Sequence, residues 1–272
     1  MTATTPPTAS LTAFIEGIGL LGPGLSDWPS SRAILDGSQP YLPMPTVLPP
    51  PALLPAAERR RSGALVRLTL ATGLQAIAAG GREASSLPSV FSSSGGDGDN
   101  CHAICETLAS ADRQISPTRF HNSVHNTASG YWGIATGAMT ASLALSAFDA
   151  SFCAGLLEAL TQMAVDATRT VLLACDTAYP EPLHSVRPIP DAFGTALVLS
   201  PNLSAKAVAK ITVSLTDASV DRLGDVALEI LRLAIPAARG LPLLRAIALR
   251  QEQQVVLDYL DSTRLAVLIT PC

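Results

Sequence analysis

Lysine is almost missing from this chain: Lys206 and Lys210 are the only two in 272 residues, so arginine carries nearly all the positive charge. With 18 basic against 22 acidic side chains the formal charge is -4, which offers no general attraction to nucleic acid or to an anionic membrane. The arginine skew, together with abundant Ala and Pro, matches the composition of a GC-rich genome and carries no function. Cysteine is too sparse and uneven for a disulfide framework. Cys101, Cys105, Cys153, Cys175 and Cys272 are odd in number and mostly lie in apolar or helical contexts, so reduced thiols in a cytoplasmic protein are expected. The start, Met1 to Ser10, lacks the basic residue and apolar run of a secretory signal and reads as a frayed leader. The most apolar region, Tyr131 to Leu160, is interrupted by Asp149 and Glu158, which would be costly in a bilayer, so it reads as buried helices without membrane insertion.

With 48% hydrophobic and 15% charged content, the chain can bury a large core. Phe14 to Leu21 is an apolar run ended by Gly22-Pro23-Gly24, a first strand and turn. Prolines recur too densely between Pro40 and Pro55 for helix or central strand, which predicts an extended connection. Leu65, Leu68, Ala71, Leu74 and Ala78 recur at helical spacing within one helix over 56–79, with Arg59, Arg60 and Arg61 in its first turns. Leu87 to Phe91 reads as a strand running into the turn Ser92 to Gly98, after which Asn100 caps a helix through Leu108. The alternation over Arg119 to His125 predicts a second strand, followed by a small-residue turn and a helix from Tyr131 to about Ala141. A helix over Phe152 to Asp166 and strands over Thr170 to Cys175 and Gly194 to Leu199 come next. In the tail, Ala218 to Ala234 is amphipathic, and Ala246 to Asp258 with Arg264 to Thr270 reads as a hairpin around Asp261-Ser262. Helices alternating with strands imply a layered α/β domain.

Several clusters invite chemistry. Ser92 to Gly98 could hold phosphate at a helix start, but it lacks a Gly-Lys-Ser/Thr ending, and Asp97 and Asp99 would repel an anion, so a tight turn fits better. Cys101, His102 and Cys105 suggest zinc, yet His102 leaves the shared helical face and no second ligand pair has metal spacing; no metal is expected. His121, Asn122, His125 and Asn126 form the densest polar cluster, either a hydrogen-bonded network at a strand end or subunit seam, or a site with a catalytic histidine. Arg59 to Arg61 is either a solvated helix start or a patch for an acidic protein. Ser129 lies where the expected strand gives way to a helix, a position that suits an exposed nucleophile but equally a helix cap, and Thr127-Ala128-Ser129-Gly130-Tyr131 is not the Gly-x-Ser-x-Gly elbow of hydrolases.

Four segments occur in an order that resembles the N-terminal half of a β-ketoacyl synthase, of thiolase-like fold. They are Phe14-Ile15-Glu16-Gly17-Ile18-Gly19, Phe91-Ser92-Ser93-Ser94-Gly95-Gly96, the block from Phe120 to Trp132, and Arg187-Pro188 to Leu199. Within them, His121-Asn122-Ser123-Val124-His125-Asn126 and Tyr179-Pro180-Glu181-Pro182-Leu183 resemble the short chain-length-factor-type proteins of bacterial aryl polyene pathways. The likeness covers about residues 11 to 200. It implies a thiolase-like half, a mixed sheet flanked by helices, with a C-terminal helix and β-hairpin over 201–272 completing the same domain.

In that family a Thr-Ala-Cys-x-Ser-Gly-like turn after a strand carries the acyl-accepting cysteine. Here Ser129, or a gap, stands in its place, and neither family histidine motif appears after Ser200. Decarboxylative condensation needs a thiolate and groups that stabilise an enolate, so a serine without a base cannot replace them. The resemblance therefore implies a non-catalytic subunit, without cofactor, that pairs with a catalytic ketosynthase and shapes its acyl tunnel. It puts Arg119 to Asn126 at the seam and Phe120, Tyr131, Trp132 and Met139 near seam or tunnel. Two alternatives stay open: an acyl-processing enzyme using Ser129 with His121 or His125 as base, and a module that docks an acyl carrier protein through Arg59, Arg60 and Arg61.

Overall fold

The computed structural model describes residues 9–272. The expected leader lies, over residues 1–8, outside the described residues, and Ser10 already pairs with Ser214 in the sheet. One mixed eight-stranded sheet organises the chain. Its strands are β1 (Ser10–Leu21), β2 (Ser89–Ser92), β3 (Ser142–Leu145), β4 (Thr170–Asp176), β5 (Phe193–Ser200), β6 (Ala209–Thr216), β7 (Gln253–Leu257) and β8 (Arg264–Pro271). Their order is β3-β2-β4-β5-β1-β6-β8-β7; β2 runs parallel to both β3 and β4, and every other pair is antiparallel.

Alternation along the buried strands sends side chains to two cores. Leu172 and Ala174 of β4 join the first, with Phe152, Leu156 and Leu160 of a long central helix, while Val171, Leu173 and Cys175 join the second, with Leu65 and Leu68. Ten α-helices lie among the described residues: α1 (Trp28–Leu35), α2 (Ala56–Arg61), α3 (Ala64–Gly80), α4 (Gly98–Ala109), α5 (Pro117–His121), α6 (Thr127–Thr136), α7 (Ser151–Asp166), α8 (Leu183–Val186), α9 (Val226–Ala234) and α10 (Leu241–Leu249). None of them is long and apolar enough to cross a membrane. Helices α1, α7, α9 and α10 cover one face of the sheet, and α3 with α6 covers the other. Helix α3 sits directly on β1 because Gly17 and Gly19 have no side chain there; a Cβ would fall 2.1 Å from the Ala76 carbonyl oxygen and 1.9 Å from that of Thr72.

Several elements differ from the sequence reading. The single helix over 56–79 is interrupted at Ser62 and Gly63, whose extended backbone separates α2 from α3. Asp97, not Asn100, caps α4: its Oδ1 accepts the Asn100 N–H at 3.0 Å, and Asn100 is a helical residue. The strand expected over Arg119 to His125 is absent. Pro117 opens the short helix α5, a turn comes next, and α6 starts at Thr127 and ends at the left-handed Gly137, short of Ala141. Residues 246–249 belong to α10, which leaves β7 as the shorter arm of the hairpin. Strands β3 and β6 have no counterpart in the sequence reading.

Two buried carboxylates tie opposite ends of the sheet. Glu16 occupies a β-bulge in β1, where the register shifts between Ile15 and Gly17. Arg82 donates to both its oxygens at 2.8 Å, Arg169 donates at 3.0 Å, and the Ser204 hydroxyl at 2.6 Å. Burial pushes the Glu16 pKa up, but these donors outweigh it and hold the group below the usual carboxylate value. At the end of β4, Asp176 accepts the backbone N–H of Ser94 at 2.7 Å and of Ala237 at 2.8 Å, with the Ser93 hydroxyl at 3.2 Å. Here burial prevails over the hydrogen bonds and pushes the pKa up to about 6.

Replacing either carboxylate by its amide should cost about 3 kcal/mol near neutral pH, read by denaturant unfolding. The pH dependences should oppose each other. Glu16 stabilises the fold above its unfolded pKa and loses this as pH falls through the lower folded value, so the Glu16→Gln deficit should grow as acid solutions are brought toward neutrality. Asp176 binds its proton more tightly when folded, so its contribution falls as pH rises from the ordinary 3.8 to about 6, and the Asp176→Asn deficit should shrink across that window.

Candidate functional site

The polar block 121–126 folds locally rather than as a strand, because its side chains satisfy nearby backbone. Asn122 is buried: its Nδ2 donates to the Arg61 carbonyl at 3.0 Å, its Oδ1 accepts the Tyr131 hydroxyl at 3.2 Å, and its own carbonyl accepts the Thr127 hydroxyl at 2.9 Å. The Ser123 hydroxyl donates to the Phe120 carbonyl, and the Arg119 carbonyl accepts from Asn100 Nδ2 at 2.9 Å. His125 Nε2 lies 2.8 Å from the Ser146 hydroxyl, while His121 and Asn126 are exposed.

Ser129 does not follow a strand. It lies within α6, and its Oγ pairs with the Ser142 hydroxyl at 2.7 Å rather than with His121 or His125. Tyr131 and Trp132 are placed in the chain's own core. Trp132 meets Phe91 edge-on, with centroids 6.4 Å apart, and both side chains are almost fully buried. Phe120, Val124 and Met139 are exposed instead, Met139 at 96%, and Ile134 joins them.

These exposed side chains lie on the segments that lead into β3. Among the described strands β3 pairs only with β2, so its outer edge is open. The opposite edge of the sheet is capped at one residue. Asp221 donates its N–H to the Val256 carbonyl at 3.0 Å, and its carboxylate accepts the Val256 N–H at 2.7 Å, which covers β7 there.

A strand, a sharp turn and a helix do occur together, but further along than Ser129, at β3, the turn after it and α7. From Leu145 the chain passes through Ser146 and Ala147 to Phe148, whose φ of 53° is left-handed, then through one 3-10 turn into α7 at Ser151. A bulky residue in that region costs about 1–3 kcal/mol. The Ser151 hydroxyl holds the turn, accepting the Ala147 N–H at 3.0 Å and donating to the Phe148 carbonyl at 2.7 Å.

Around the turn runs a ladder of ion pairs. Arg187 lies 3.4 Å from the Phe148 ring centroid and donates to Asp149 at 2.7 Å and to the Ser94 hydroxyl at 2.6 Å. Arg239 joins Asp149 to Asp258. A cavity of about 700 Å³ opens beside it, lined by Phe148, Asp149, Arg239, Asp258, Tyr259 and Leu260. No thiol here is disposed to ionise. Cys153, within the first turn of α7, is fully buried and its pKa is pushed up, and burial raises Cys175 to about 12.

The remaining candidates are accounted for more simply. The Ser92 to Gly98 turn spends its Ser94 N–H on Asp176, which fits a braced turn. Cys101 and Cys105 lie exposed one turn apart on α4, while His102 pairs with Glu106 at 3.3 Å. Arg59, Arg60 and Arg61 are all exposed on α2, a helix with no buried residue. Phe148, Arg187 and Arg239 escape the sequence reading; the available signal is the alternation Ser142-Leu143-Ala144-Leu145 before Asp149 and Ser151.

No curated protein matches this chain. Among solved structures, a complex of the ketosynthase ApeO with its chain length factor ApeC from Xenorhabdus doucetiae contains a chain 24% identical to this one. The superposition has a TM-score of 0.72 and covers 95% of this chain and 99% of that one. The ishigamide ketosynthase/chain length factor is similar at 11% identity and TM-score 0.65, over 96% of this chain and 99% of that chain. The AntDE:AntF structure, a type II polyketide synthase carrier protein with its ketosynthase bound to the hexaketide, is similar at 10% identity and TM-score 0.72, over 97% and 100%. These likenesses show a thiolase-like fold. The family described as β-ketoacyl synthase, N-terminal domain, matches residues 35–235, which is most of the chain; the protein belongs to that family.

Proposed function

We propose that this chain is a non-catalytic, chain-length-factor-type subunit that pairs with a catalytic β-ketoacyl synthase and shapes its acyl tunnel during polyene- or polyketide-like chain elongation. The observation that carries this reading is the open edge of β3, with Met139, Phe120, Val124 and Ile134 exposed on the segments leading into it. An unpaired strand edge and an adjacent apolar surface are costly to leave in water and suit a partner that continues the sheet. The absence of chemistry at the strand-turn-helix supports the same reading: Phe148 stands at its strained position, and the nearby cysteine is buried with its thiol held protonated. A chain that cannot accept an acyl group still contributes by the walls it presents. Two of the similar structures are of ketosynthases with chain length factors, which agrees in kind.

In this reading Arg119 to Asn126 and Met139 face the partner, and Phe120 borders the tunnel. Asn122 supports that surface from beneath rather than touching the partner, since its side chain is committed to Arg61 and Tyr131. Ser129 remains a helix residue without a base. Arg59 to Arg61, exposed on α2 beside Arg119, present positive charge that suits an acidic acyl carrier protein.

Co-expression with the ketosynthase encoded beside it should give a complex whose mass equals one copy of each chain. Met139→Asp should weaken that complex by about tenfold or more while leaving the melting temperature of the isolated chain nearly unchanged. A chain that stays monomeric and does not alter the ketosynthase product would sink the proposal. Phe120→Ala should move the product distribution toward longer chains, read by mass spectrometry. Replacing Arg59, Arg60 and Arg61 together by Ala should weaken carrier-protein binding and flatten its salt dependence, with pairing to the ketosynthase intact.

A further inference from the structure

We infer that Phe148 is a preorganised anchor for the partner subunit, its ring held out from the surface at the C-terminal end of the open β3 edge. This rests on the pairing proposed above and adds the residue that fixes it. Three independent observations meet at this side chain. Its backbone is left-handed, a conformation that a bulky residue keeps only when its surroundings enforce it. The residue is 65% exposed, although burying an aromatic side chain is among the larger gains folding offers. One face of the ring is already occupied by the Arg187 guanidinium, which is itself fixed by Asp149 and Ser94 and is largely buried.

The ring therefore cannot fold back onto the protein. A side chain with two rotatable bonds, stiffened by a turn and stacked on one face, loses little entropy when its free face enters a pocket on another chain. Its position selects the occupant. Phe148 lies three residues past Leu145, the last residue of β3, and Met139 lies three residues before Ser142, the first. Two exposed apolar side chains thus bracket the edge that a partner's strand would continue, so a chain adding to β3 meets both. An aromatic anchor backed by a desolvated arginine is the composition of an interface hot spot. Strand addition alone would fix direction but tolerate slippage by two residues; an anchor at one end makes one register preferred.

The test compares two quantities in the same variants: the melting temperature of the isolated chain, and its affinity for the neighbouring ketosynthase by titration calorimetry. Glycine adopts a positive φ without strain, so Phe148→Gly should melt no lower than the wild-type chain while binding the ketosynthase about tenfold or more weakly. Phe148→Ala, which keeps the strained backbone and removes the ring, should lose affinity to a similar extent. Phe148→Trp should keep most of it. The inference is overturned if Phe148→Gly binds as tightly as the wild type, since the pairing then stands without the anchor. It is overturned equally if Phe148→Gly melts well below the wild type and loses binding in proportion, which would make the ring a support of the fold. Failure of the wild-type chain itself to bind would remove the pairing and the anchor together, a result distinct from both.

Discussion

Contact between the backbone of α3 and the backbone of β1 sets the spacing on which the other layers depend. Side chains normally hold a helix away from a sheet, but Gly17 and Gly19 let the carbonyls of Thr72 and Ala76 come down onto the strand. The close seat has consequences along the chain. Helix α3 brings Gly73 to the position where a Cβ would fall 2.5 Å from the Trp132 ring, so Trp132, and with it α6, packs tightly against the same layer. Helix α6 ends at Gly137, and five residues later the chain enters β3. The location of the outermost strand thus depends on two glycines in the central one. The bulge that turns Glu16 toward Arg82 and Arg169 lies beside those glycines, where the strand cannot keep regular pairing and carry a buried acid at once.

The two edges of the sheet are treated in opposite ways. Asp221 caps the outer edge of β7 at Val256 with a backbone donor and a side-chain acceptor, which interrupts that edge against another strand. At β3 the described residues supply no such cover, and the excursion of α4 and α5 before it is thinly packed: α4 buries only Gly98 and Asn100, and α5 buries no residue. Polar ties brace this excursion: Asn100 joins α4 to α5, and Asn122 reaches the Arg61 carbonyl at the end of α2. A segment attached by specific hydrogen bonds rather than by a core keeps its shape while leaving its apolar side chains outside. That combination suits a surface completed by a second chain, and it gives the exposed Phe120, Val124 and Met139 a common explanation.

How much of the fold is legible in advance depends on whether local pattern and tertiary context agree. Strands β1, β4 and β5 are long, apolar and bounded by turn residues, and α7 carries a clear helical period, so each announces itself. The layered α/β class comes from their alternation, and the order of four segments supplies the family. The failures have physical causes. Residues 119–125 alternate as a strand would, but Pro117 starts a helix, the Ser123 hydroxyl bonds back to Phe120, and the Asn122 side chain is drawn to the distant Arg61 carbonyl, which makes a compact turn the better arrangement. Strand β3 has four residues of Ala, Leu and Ser whose extended form is dictated by β2 beside it, and no window of its own sequence overrides the helical look of its neighbours. Without β3, the sequence offers strand-turn-helix patterns only at Ser92 to Gly98 and at Ser129, and nothing in it singles out Phe148.

The displaced turn changes what the missing cysteine means. At Ser129 the departure looks like a lost nucleophile in an otherwise preserved setting, and a serine could still be argued to do some chemistry. At Phe148 the setting itself has been rebuilt. A cavity remains, and Asp149, Arg239 and Asp258 meet along its wall as a chain of ion pairs. Backbone strain persists where the surrounding contacts over-determine it, as the Ser151 hydroxyl and the Arg187 guanidinium do at Phe148. The same turn that would present a nucleophile to an acyl group is geometrically suited to present an aromatic ring to a protein, and in the proposed pairing the open edge of β3 beside it sets the direction of approach.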